Sequence, residues 1–192
     1  AEELTAVEVI GKAITINLNG KTVSTPNDTE GNGVFWVKQG ATLTLTGNGT
    51  VNGKGASKYC MAVWADGGKV IIENGTYTNV GCQENEPGST QFDLIYVKNG
   101  GEVIINGGTF EAEHPKWTLN HHNGTQGKIV VNGGSFYKFD PSNDQTDDLP
   151  ESTVLGEGKC SVEVEKYYVV DSHVVVTDKA VAPTCTETGL TE

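Results

Sequence analysis

Acidic and imidazole side chains cluster just after residue 110, where they could transfer protons or bind a ligand. Glu111, Glu113 and His114 are close neighbours, and His121 and His122 follow shortly afterwards. Carboxylates and imidazoles are the usual general acids and bases of enzymes. The competing interpretation is that Glu111 and Glu113 flank a surface loop while His121 fills an inward position of a strand. We predict no catalytic residue, and we keep Glu111, Glu113 and His114 as candidate binding residues.

A second candidate site is a row of aromatic residues in three similar apolar segments. Trp36, Trp64 and Tyr96 each occupy the third place of a four-residue apolar run. The charged residues that follow them two positions later are Lys38, Asp66 and Lys98. Such a row of rings can stack on sugars or bury against a partner protein. Alternatively, a loop, the C-terminal segment or a neighbouring subunit covers the row as ordinary packing.

The cysteine spacing favours disulfide bonds over a metal site. The cysteines are Cys60, Cys82, Cys160 and Cys185, and no Cys-x-x-Cys pair occurs, so we predict neither a metal site nor a cofactor. Cys60 and Cys82 each follow a copy of the repeat described next, so stacked loops could bring them together. Cys160 and Cys185 share the C-terminal part of the chain. Four unrelated thiols are the alternative.

These residues must be positioned by a repeat that runs from Ile16 to Phe136. Its clearest copies share an apolar triplet, a polar residue, Asn or Gly, Gly, Thr or Ser, and an aromatic residue. They are Val70-Ile-Ile-Glu-Asn-Gly-Thr-Tyr77, Val103-Ile-Ile-Asn-Gly-Gly-Thr-Phe110 and Ile129-Val-Val-Asn-Gly-Gly-Ser-Phe136, with looser copies at Ile16-Asn-Leu-Asn-Gly-Lys-Thr-Val23 and Leu43-Thr-Leu-Thr-Gly-Asn-Gly-Thr-Val51. The last residues of the copies lie 26 to 33 positions apart, which is the period of a solenoid.

The local pattern favours a solenoid of strands. Each copy is a short β-rich run that ends at glycine, and a second apolar run precedes each later copy across a glycine turn. Strands that return once per repeat, without helices between them, describe a parallel β-helix. We therefore predict an all-β fold of about five rungs with glycine at its tight corners.

Strand alternation assigns the two faces of each predicted strand. The expected inward positions are Val51, Tyr77, Phe110 and Phe136 in one column, Ile16, Leu18, Leu43, Leu45, Val70, Ile72, Val103, Ile105, Ile129 and Val131 in a second strand set, and Phe35, Val63, Ile95, Leu119, Val37, Ala65, Val97 and His121 in a third. The expected outward rows are Trp36, Trp64, Tyr96 and Asn120, and Lys38, Asp66, Lys98 and His122. A glycoside hydrolase needs carboxylates about 5–10 Å apart, and the outward positions supply only Asp66, which argues against an enzyme.

The chain is predicted to divide into a solenoid and a C-terminal part. Residues 1–140 form the β-helix with residues 1–12 as its cap, residues 141–176 form a C-terminal β cap, and residues 177–192 form an extended tail. Asp140, Asp144, Asp147 and Asp148 read as an acidic linker, with Ca²⁺ binding as the alternative. A net charge of −12 without any arginine argues against nucleic acid as a partner. No apolar run is long enough to insert into a membrane.

The sequence motif of the repeat resembles the motifs of a known protein family. The phrase Gly-Gly-x-Val-x-Ile-x-Gly-Gly-Thr-Phe, which ends at Phe110, resembles the right-handed parallel β-helix, pectate-lyase-like superfamily. Ala62-Val-Trp-Ala-Asp-Gly-Gly68, Asp93-Leu-Ile-Tyr96 and Pro115-Lys-Trp-Thr-Leu-Asn120 look more narrowly like surface proteins, or virion fibre and decoration proteins, of gut Firmicutes and their phages. Residues 182–192 resemble the opening of a Cys-containing surface repeat, whose His-Cys-x-x-Cys continuation does not follow here.

The resemblance implies a non-enzymatic extracellular protein, displayed on a virion or a cell surface, that acts through self-assembly or receptor contact. A homo-oligomer or a larger surface assembly is the implied partner state. Pectate-type lyases usually abstract a proton with Arg, which this sequence lacks. The alternative function is a β-helix that binds or cleaves a glycan.

Overall fold

Three parallel sheets wrap the chain into a solenoid. The structure, a computed structural model, describes residues 7–25, 33–55, 60–82, 93–122, 126–143 and 153–171. Sheet A contains β1 (Val7–Val9), β4 (Phe35–Lys38), β7 (Val63–Asp66), β10 (Ile95–Lys98) and β13 (Leu119–His121). Sheet B contains β2 (Ala13–Asn17), β5 (Thr42–Thr46), β8 (Lys69–Ile72), β11 (Glu102–Ile105) and β14 (Lys128–Val131). The parallel strands of sheet C are β3 (Thr22–Ser24), β6 (Thr50–Asn52), β9 (Thr76–Thr78), β12 (Thr109–Glu111) and β15 (Gly134–Tyr137).

Each rung takes one parallel strand from each sheet, so the five parallel strands per sheet give five stacked rungs. This confirms the predicted all-β fold, a parallel β-helix of about four turns in which five parallel strands stack in each sheet. The strands stay three to five residues long, because glycine or an Asn-Gly pair interrupts each β-branched run. Helix is limited, in the described ranges, to the 3₁₀ turns Gly53–Gly55 and Pro115–Trp117. No helix of this part of the chain is long and apolar enough to cross a membrane.

A stacked aromatic column fills the core beneath sheet C. Tyr77, Phe110 and Phe136 are fully buried. The rings of Tyr77 and Phe110 lie 5.1 Å apart, and those of Phe110 and Phe136 lie 4.7 Å apart. These distances follow from the register, since β9, β12 and β15 pair residue for residue and neighbouring strands are about 4.8 Å apart. The predicted inward column is therefore confirmed, and the Tyr77 hydroxyl donates to the Asn74 carbonyl within it.

Glycine is required two residues before each ring of the column. Gly75, Gly108 and Gly134 have φ values of +113°, +111° and +116°, which side chains rarely adopt. A Cβ on Gly108 would lie 2.9 Å from the Gly75 carbonyl oxygen, and one on Gly134 would lie 3.0 Å from that of Gly108. The motif of Gly, Thr or Ser, and an aromatic residue thus encodes both the corner and the ring that packs inside it.

The first rung departs from the prediction in two places. Val7–Val9 pairs in parallel with β4, so this strand belongs to sheet A although residues 1–12 were assigned to a cap. Ile14 and Ile16, rather than Ile16 and Leu18, stand in register with Leu43 and Leu45. The reason is a longer corner after β2, where Asn19 and Gly20 both take left-handed backbone angles, and Leu18 is buried at that corner.

An antiparallel hairpin covers the last strand of sheet C. Its strands are β16 (Cys160–Val164) and β17 (Tyr167–Asp171), and β17 pairs with β15. Beside sheet B, the Val131 amide donates to the Val154 carbonyl and the Gly156 amide donates back to that of Val131. The predicted tail at 177–192, and Asp144, Asp147 and Asp148, lie outside the described residues.

Replacing Phe110 with alanine tests the register of the core. We expect Phe110→Ala to lower the free energy of unfolding by about 3–5 kcal/mol, because it opens a cavity between two stacked rings. The matched control is Thr109→Ala on the outward face of the same strand, which should cost less than about 1 kcal/mol. Both values come from denaturant unfolding followed by circular dichroism. Equal costs for the two variants would contradict the inward assignment of Phe110.

Candidate functional site

The three predicted aromatic residues come together on the outer face of sheet A. Trp36 pairs with Trp64, and Trp64 pairs with Tyr96, on successive rungs. The Trp36 and Trp64 rings are stacked at 5.0 Å with an interplanar angle of 14°, and the Trp64 and Tyr96 rings lie 5.8 Å apart at 56°. All three side chains are half-buried. We call Trp36, Trp64 and Tyr96 the aromatic row.

The stacking decides which part of each ring faces the solvent. The two indoles lie nearly parallel along the solenoid axis, so each covers one face of the other. The Lys38 ammonium also lies over the Trp36 ring. A sugar stacks on an open ring face, whereas these two rings turn mainly their edges outward. The row is consequently better suited to packing against another protein surface than to sugar stacking.

Asp66 ties the aromatic row to its charged neighbours. Its carboxylate accepts hydrogen bonds from Trp36 Nε1 at 3.0 Å and from Asn99 Nδ2 at 2.6 Å. Lys38 Nζ lies 4.0 Å from the same carboxylate. Lys98 stands in register with Asp66, but the second contact of the Asp66 carboxylate is with Asn99, so the predicted Lys38–Asp66–Lys98 ladder forms on the Lys38 side only. A half-exposed ion pair of this kind contributes at most about 1 kcal/mol.

The fourth position of the predicted outward row, Asn120, is in register with Tyr96 but is buried. Asn120 was predicted to face out, but its side chain is only 4% exposed, and its amide donates to the buried Asp93 carboxylate at 2.9 Å. His121 takes the inward position expected of it. Its ring packs so close to Gly127 that a Cβ on that glycine would come within 2.9 Å of the ring. His122 lies outside, with its ring 6.2 Å from that of Tyr96.

Glu111 and Glu113 of the acidic cluster have separate hydrogen-bond partners. Glu111 accepts a hydrogen bond from the Tyr167 hydroxyl at 2.5 Å. Glu113 accepts one from the Gly81 amide, and its own amide donates to Asn79 Oδ1 at 2.7 Å. His114 precedes the 3₁₀ turn Pro115–Trp117 and does not cap it with its side chain. Glu111 and Glu113 thus each hold a separate structural bond, which leaves their binding role a prediction.

The contact of Glu111 with Tyr167 was missed because Tyr167 lies 56 residues further along the chain, in the hairpin outside the repeat. The hydrogen bond to Glu111 is the largest cause that raises the pKa of Tyr167 to about 12. A hydroxyl that donates to a carboxylate loses its proton less readily. No signal in the repeat could have indicated this pairing.

Cys60 and Cys82 form a disulfide, with their Cα atoms 6.3 Å apart. The stacked loops after the second and third rungs bring them together, as the repeat suggested. Cys160 is free, and its thiol donates to the Asp171 carbonyl, while Cys185 lies outside the described residues. No group of three or more His, Cys, Asp and Glu side chains that could hold a metal occurs in the part of the chain that the structure describes.

Comparison of the chain with protein-family models, with curated proteins and with solved structures finds no match in any of the three.

Glu111→Gln tests the cause of the Tyr167 pKa. We expect the Tyr167 pKa to fall from about 12 toward its ordinary value of 10.0, because the charged acceptor is gone. The folded pKa lies above the unfolded one, so this contact stabilises the fold below pH 10 and loses its effect as the pH rises through about 12. NMR titration of the tyrosine ring carbons measures the shift. Glu113→Gln is the control and should leave Tyr167 unchanged; a fall in both variants would refute the assignment.

Removing the disulfide tests its contribution to stability. The double variant Cys60→Ser with Cys82→Ser should lower the free energy of unfolding by about 3 kcal/mol, since the bond closes a loop with a sequence separation of 22 residues. Denaturant unfolding measures the loss. Cys160→Ser is the matched control, because this thiol is free, and should change stability by less than about 1 kcal/mol. Equal stability of the wild type and the double variant would show that the bond adds nothing.

Proposed function

We propose that this protein is a non-enzymatic structural or adhesion protein, displayed on a virion or a bacterial cell surface, that acts by pairing with a second copy of itself. The observation that carries the proposal is the aromatic row on the outer face of sheet A. Its rings are fixed by mutual stacking and by the Trp36–Asp66 hydrogen bond. A rigid aromatic surface loses little entropy on binding, and aromatic residues dominate binding energy at protein interfaces.

The charges around the row favour a second copy as the occupant. Glu8, Lys38, Asp66 and Lys98 balance one another on this face, in a chain whose net charge is −12. Two copies therefore repel each other less across this face than across an average one. Most soluble homodimers use one patch on both subunits, related by a two-fold axis.

The rung register makes this patch self-complementary. A two-fold axis parallel to the strands, between the second and third rungs, sets Trp36 against the partner's Trp64. The same operation sets Lys38 against the partner's Asp66, and Glu8 against the partner's Tyr96, because each pair occupies the same strand position. These three contacts then join two rings, two opposite charges, and a carboxylate with a hydroxyl.

The alternative functions have weaker support. Sugar stacking on the row requires open ring faces, and the two indoles cover each other. Glycan cleavage requires carboxylates that can act on a substrate, whereas Glu111 and Glu113 each hold a structural hydrogen bond. The Cys60–Cys82 disulfide favours an oxidising compartment, in keeping with the proposed extracellular location.

The proposal is tested by the mass in solution and by one substitution in the row. We expect light scattering over a range of concentrations to show a dimer. Trp64→Ala should weaken it by about 2 kcal/mol or more, because the central ring is lost from the interface. Ile71→Ala is the matched control: Ile71 is also half-buried and outward, but lies on sheet B, so this variant should dimerise normally.

A second variant separates a fold effect from an interface effect. If Trp64→Ala unfolds, Lys38→Glu still tests the pairing, because it sets two like charges opposite each other and should also weaken the dimer. The proposed pairing would be contradicted if the chain were monomeric at every concentration. It would also be contradicted if Ile71→Ala weakened the dimer as much as Trp64→Ala does.

A further inference from the structure

The first rung lies at the edge of all three sheets. Its strands β1, β2 and β3 end sheets A, B and C, and within the described ranges no further strand pairs with their outer sides. The opposite end of the solenoid is different, because the hairpin covers sheet C and residues 154–156 lie beside the last strand of sheet B. An edge strand presents backbone N–H and C=O groups that can pair with another strand.

The inward side chains of the first rung are only partly buried. They are Val7, Ile14, Ile16 and Val23. In the second rung Leu43 and Leu45, which are in register with the two isoleucines, are fully buried. The N-terminal end of the solenoid therefore presents an apolar layer that a partner could remove from water.

The backbone of β2 directs alternate residues toward the open end. The Lys12 carbonyl and the Leu18 amide both bond to β5, at 2.8 Å each, so the even-numbered residues point their backbone groups into the solenoid. Successive residues of a strand point these groups to opposite sides. The residues that point outward along the solenoid axis are consequently Ala13, Thr15 and Asn17, a set that is symmetric about Thr15.

The two other strands of the rung have the matching phase. The Val7 amide and the Lys21 carbonyl both bond to the second rung, at 2.8 and 2.9 Å. The residues that follow them, Glu8 and Thr22, therefore direct their backbone groups to the open end. Glu8 precedes Thr15 by seven positions and Thr22 follows it by seven, so the symmetry about Thr15 extends over the whole rung.

We infer that the first rung is a second self-pairing surface, on which two copies join edge to edge. A two-fold axis through Thr15, perpendicular to the solenoid axis, pairs β2 with the partner's β2 in antiparallel orientation and pairs β1 with the partner's β3. Thr15 then faces the partner's Thr15, Ala13 faces the partner's Asn17, and Glu8 faces the partner's Thr22. Both residues of each pair direct their backbone groups at each other, so both hydrogen bonds of an antiparallel pair form.

The same axis brings the partly buried side chains together. It sets Ile14 opposite the partner's Ile16, and Val7 opposite the partner's Val23. Residues directly opposite each other in an antiparallel pair project to the same face of the sheet. The four apolar side chains of each copy therefore continue the core of one solenoid into the core of the other.

The charges at this end favour a second copy as the occupant. Residues 7–25 contain one acidic residue, Glu8, and two lysines, Lys12 and Lys21, which gives +1 in a chain of net charge −12. Two copies therefore meet here without the repulsion expected of an acidic surface. Head-to-tail stacking is disfavoured, because the hairpin and residues 154–156 cover the strands of sheets C and B at the other end.

The contact is small and independent of the aromatic row. Each copy contributes strands of three, five and three residues, fewer than the roughly 20–30 residues per side of a standard interface. We therefore expect it to be the weaker of the two contacts and to form at higher protein concentration. It does not rest on the pairing proposed for sheet A.

A proline at the two-fold axis tests the pairing. Sedimentation of the full chain carrying Trp64→Ala, which weakens pairing through the aromatic row, should show a reversible equilibrium of monomer and dimer. Adding Thr15→Pro should raise the Kd about tenfold or more, because proline removes an edge donor that the solenoid itself does not use. The matched control is Glu163→Pro on β16, the opposite edge strand of sheet C, which should leave the Kd unchanged. Circular dichroism checks that each variant is folded.

Cross-linking tests the geometry without a proline, and it decides the matter if a proline variant does not fold. Thr15→Cys is made in a chain with Cys160→Ser and Cys185→Ser. At the two-fold axis the two Cα atoms would lie about 5.5 Å apart, within the range of a disulfide, so mild oxidation should give a covalent dimer. The control Thr44→Cys, one rung further in and in register with Thr15, should stay monomeric.

Four results would overturn the inference. They are a Trp64→Ala chain that is monomeric at every concentration, an unchanged Kd in Thr15→Pro, an equal loss in Glu163→Pro, and cross-linking of Thr15→Cys no faster than that of Thr44→Cys. An equal loss in Glu163→Pro would indicate head-to-tail stacking. Failure of the aromatic-row pairing alone gives a different result: Trp64→Ala then associates like the wild type, while Thr15→Cys still cross-links.

Discussion

The repetition of the same backbone position in every rung is the constraint on which the rest of this structure depends. Parallel strands in register set each side chain directly above its equivalent, about 4.8 Å away. A single residue choice therefore becomes a column, as in the stacked rings of Tyr77, Phe110 and Phe136. The same rule produces the glycine column beside them and the aromatic row on the outer face of sheet A. An unsuitable residue in one rung therefore also disturbs the side-chain packing of the rungs above and below it.

This constraint explains how much of the fold the sequence could reveal. The motif of Gly, Thr or Ser, and an aromatic residue carries both a backbone requirement and a packing requirement, so its recurrence was enough to predict the solenoid and the inward column. The first rung was misaligned in sheet B because the corner after β2 is longer there, and no pattern in a single copy reveals the length of a corner. Residues 7–9 form too short and isolated a segment for the sequence to indicate a strand. Only their pairing with β4 in the structure reveals it.

The candidate site was predictable only where it follows the repeat. Trp36, Trp64 and Tyr96 were found from their equivalent positions, and the structure stacks them as neighbours. The orientation of their rings depends on rotamers and on Asp66, which spacing cannot indicate. The Glu111–Tyr167 bond depends on the C-terminal hairpin. That hairpin lies outside the repeat, so no periodic signal relates it to the residues that it contacts.

The Cys60–Cys82 bond has a mechanical consequence for a protein exposed to pulling forces. The segment between the two cysteines contains β7, β8 and β9, which make up the whole third rung, so the bond closes that rung into a covalent ring. Tension along the chain passes through the sulfur atoms and bypasses the rung. Reduction would release the 22-residue separation as hidden length, on the order of 70 Å at full extension. The redox state of one bond thereby sets how far the stretched chain can reach.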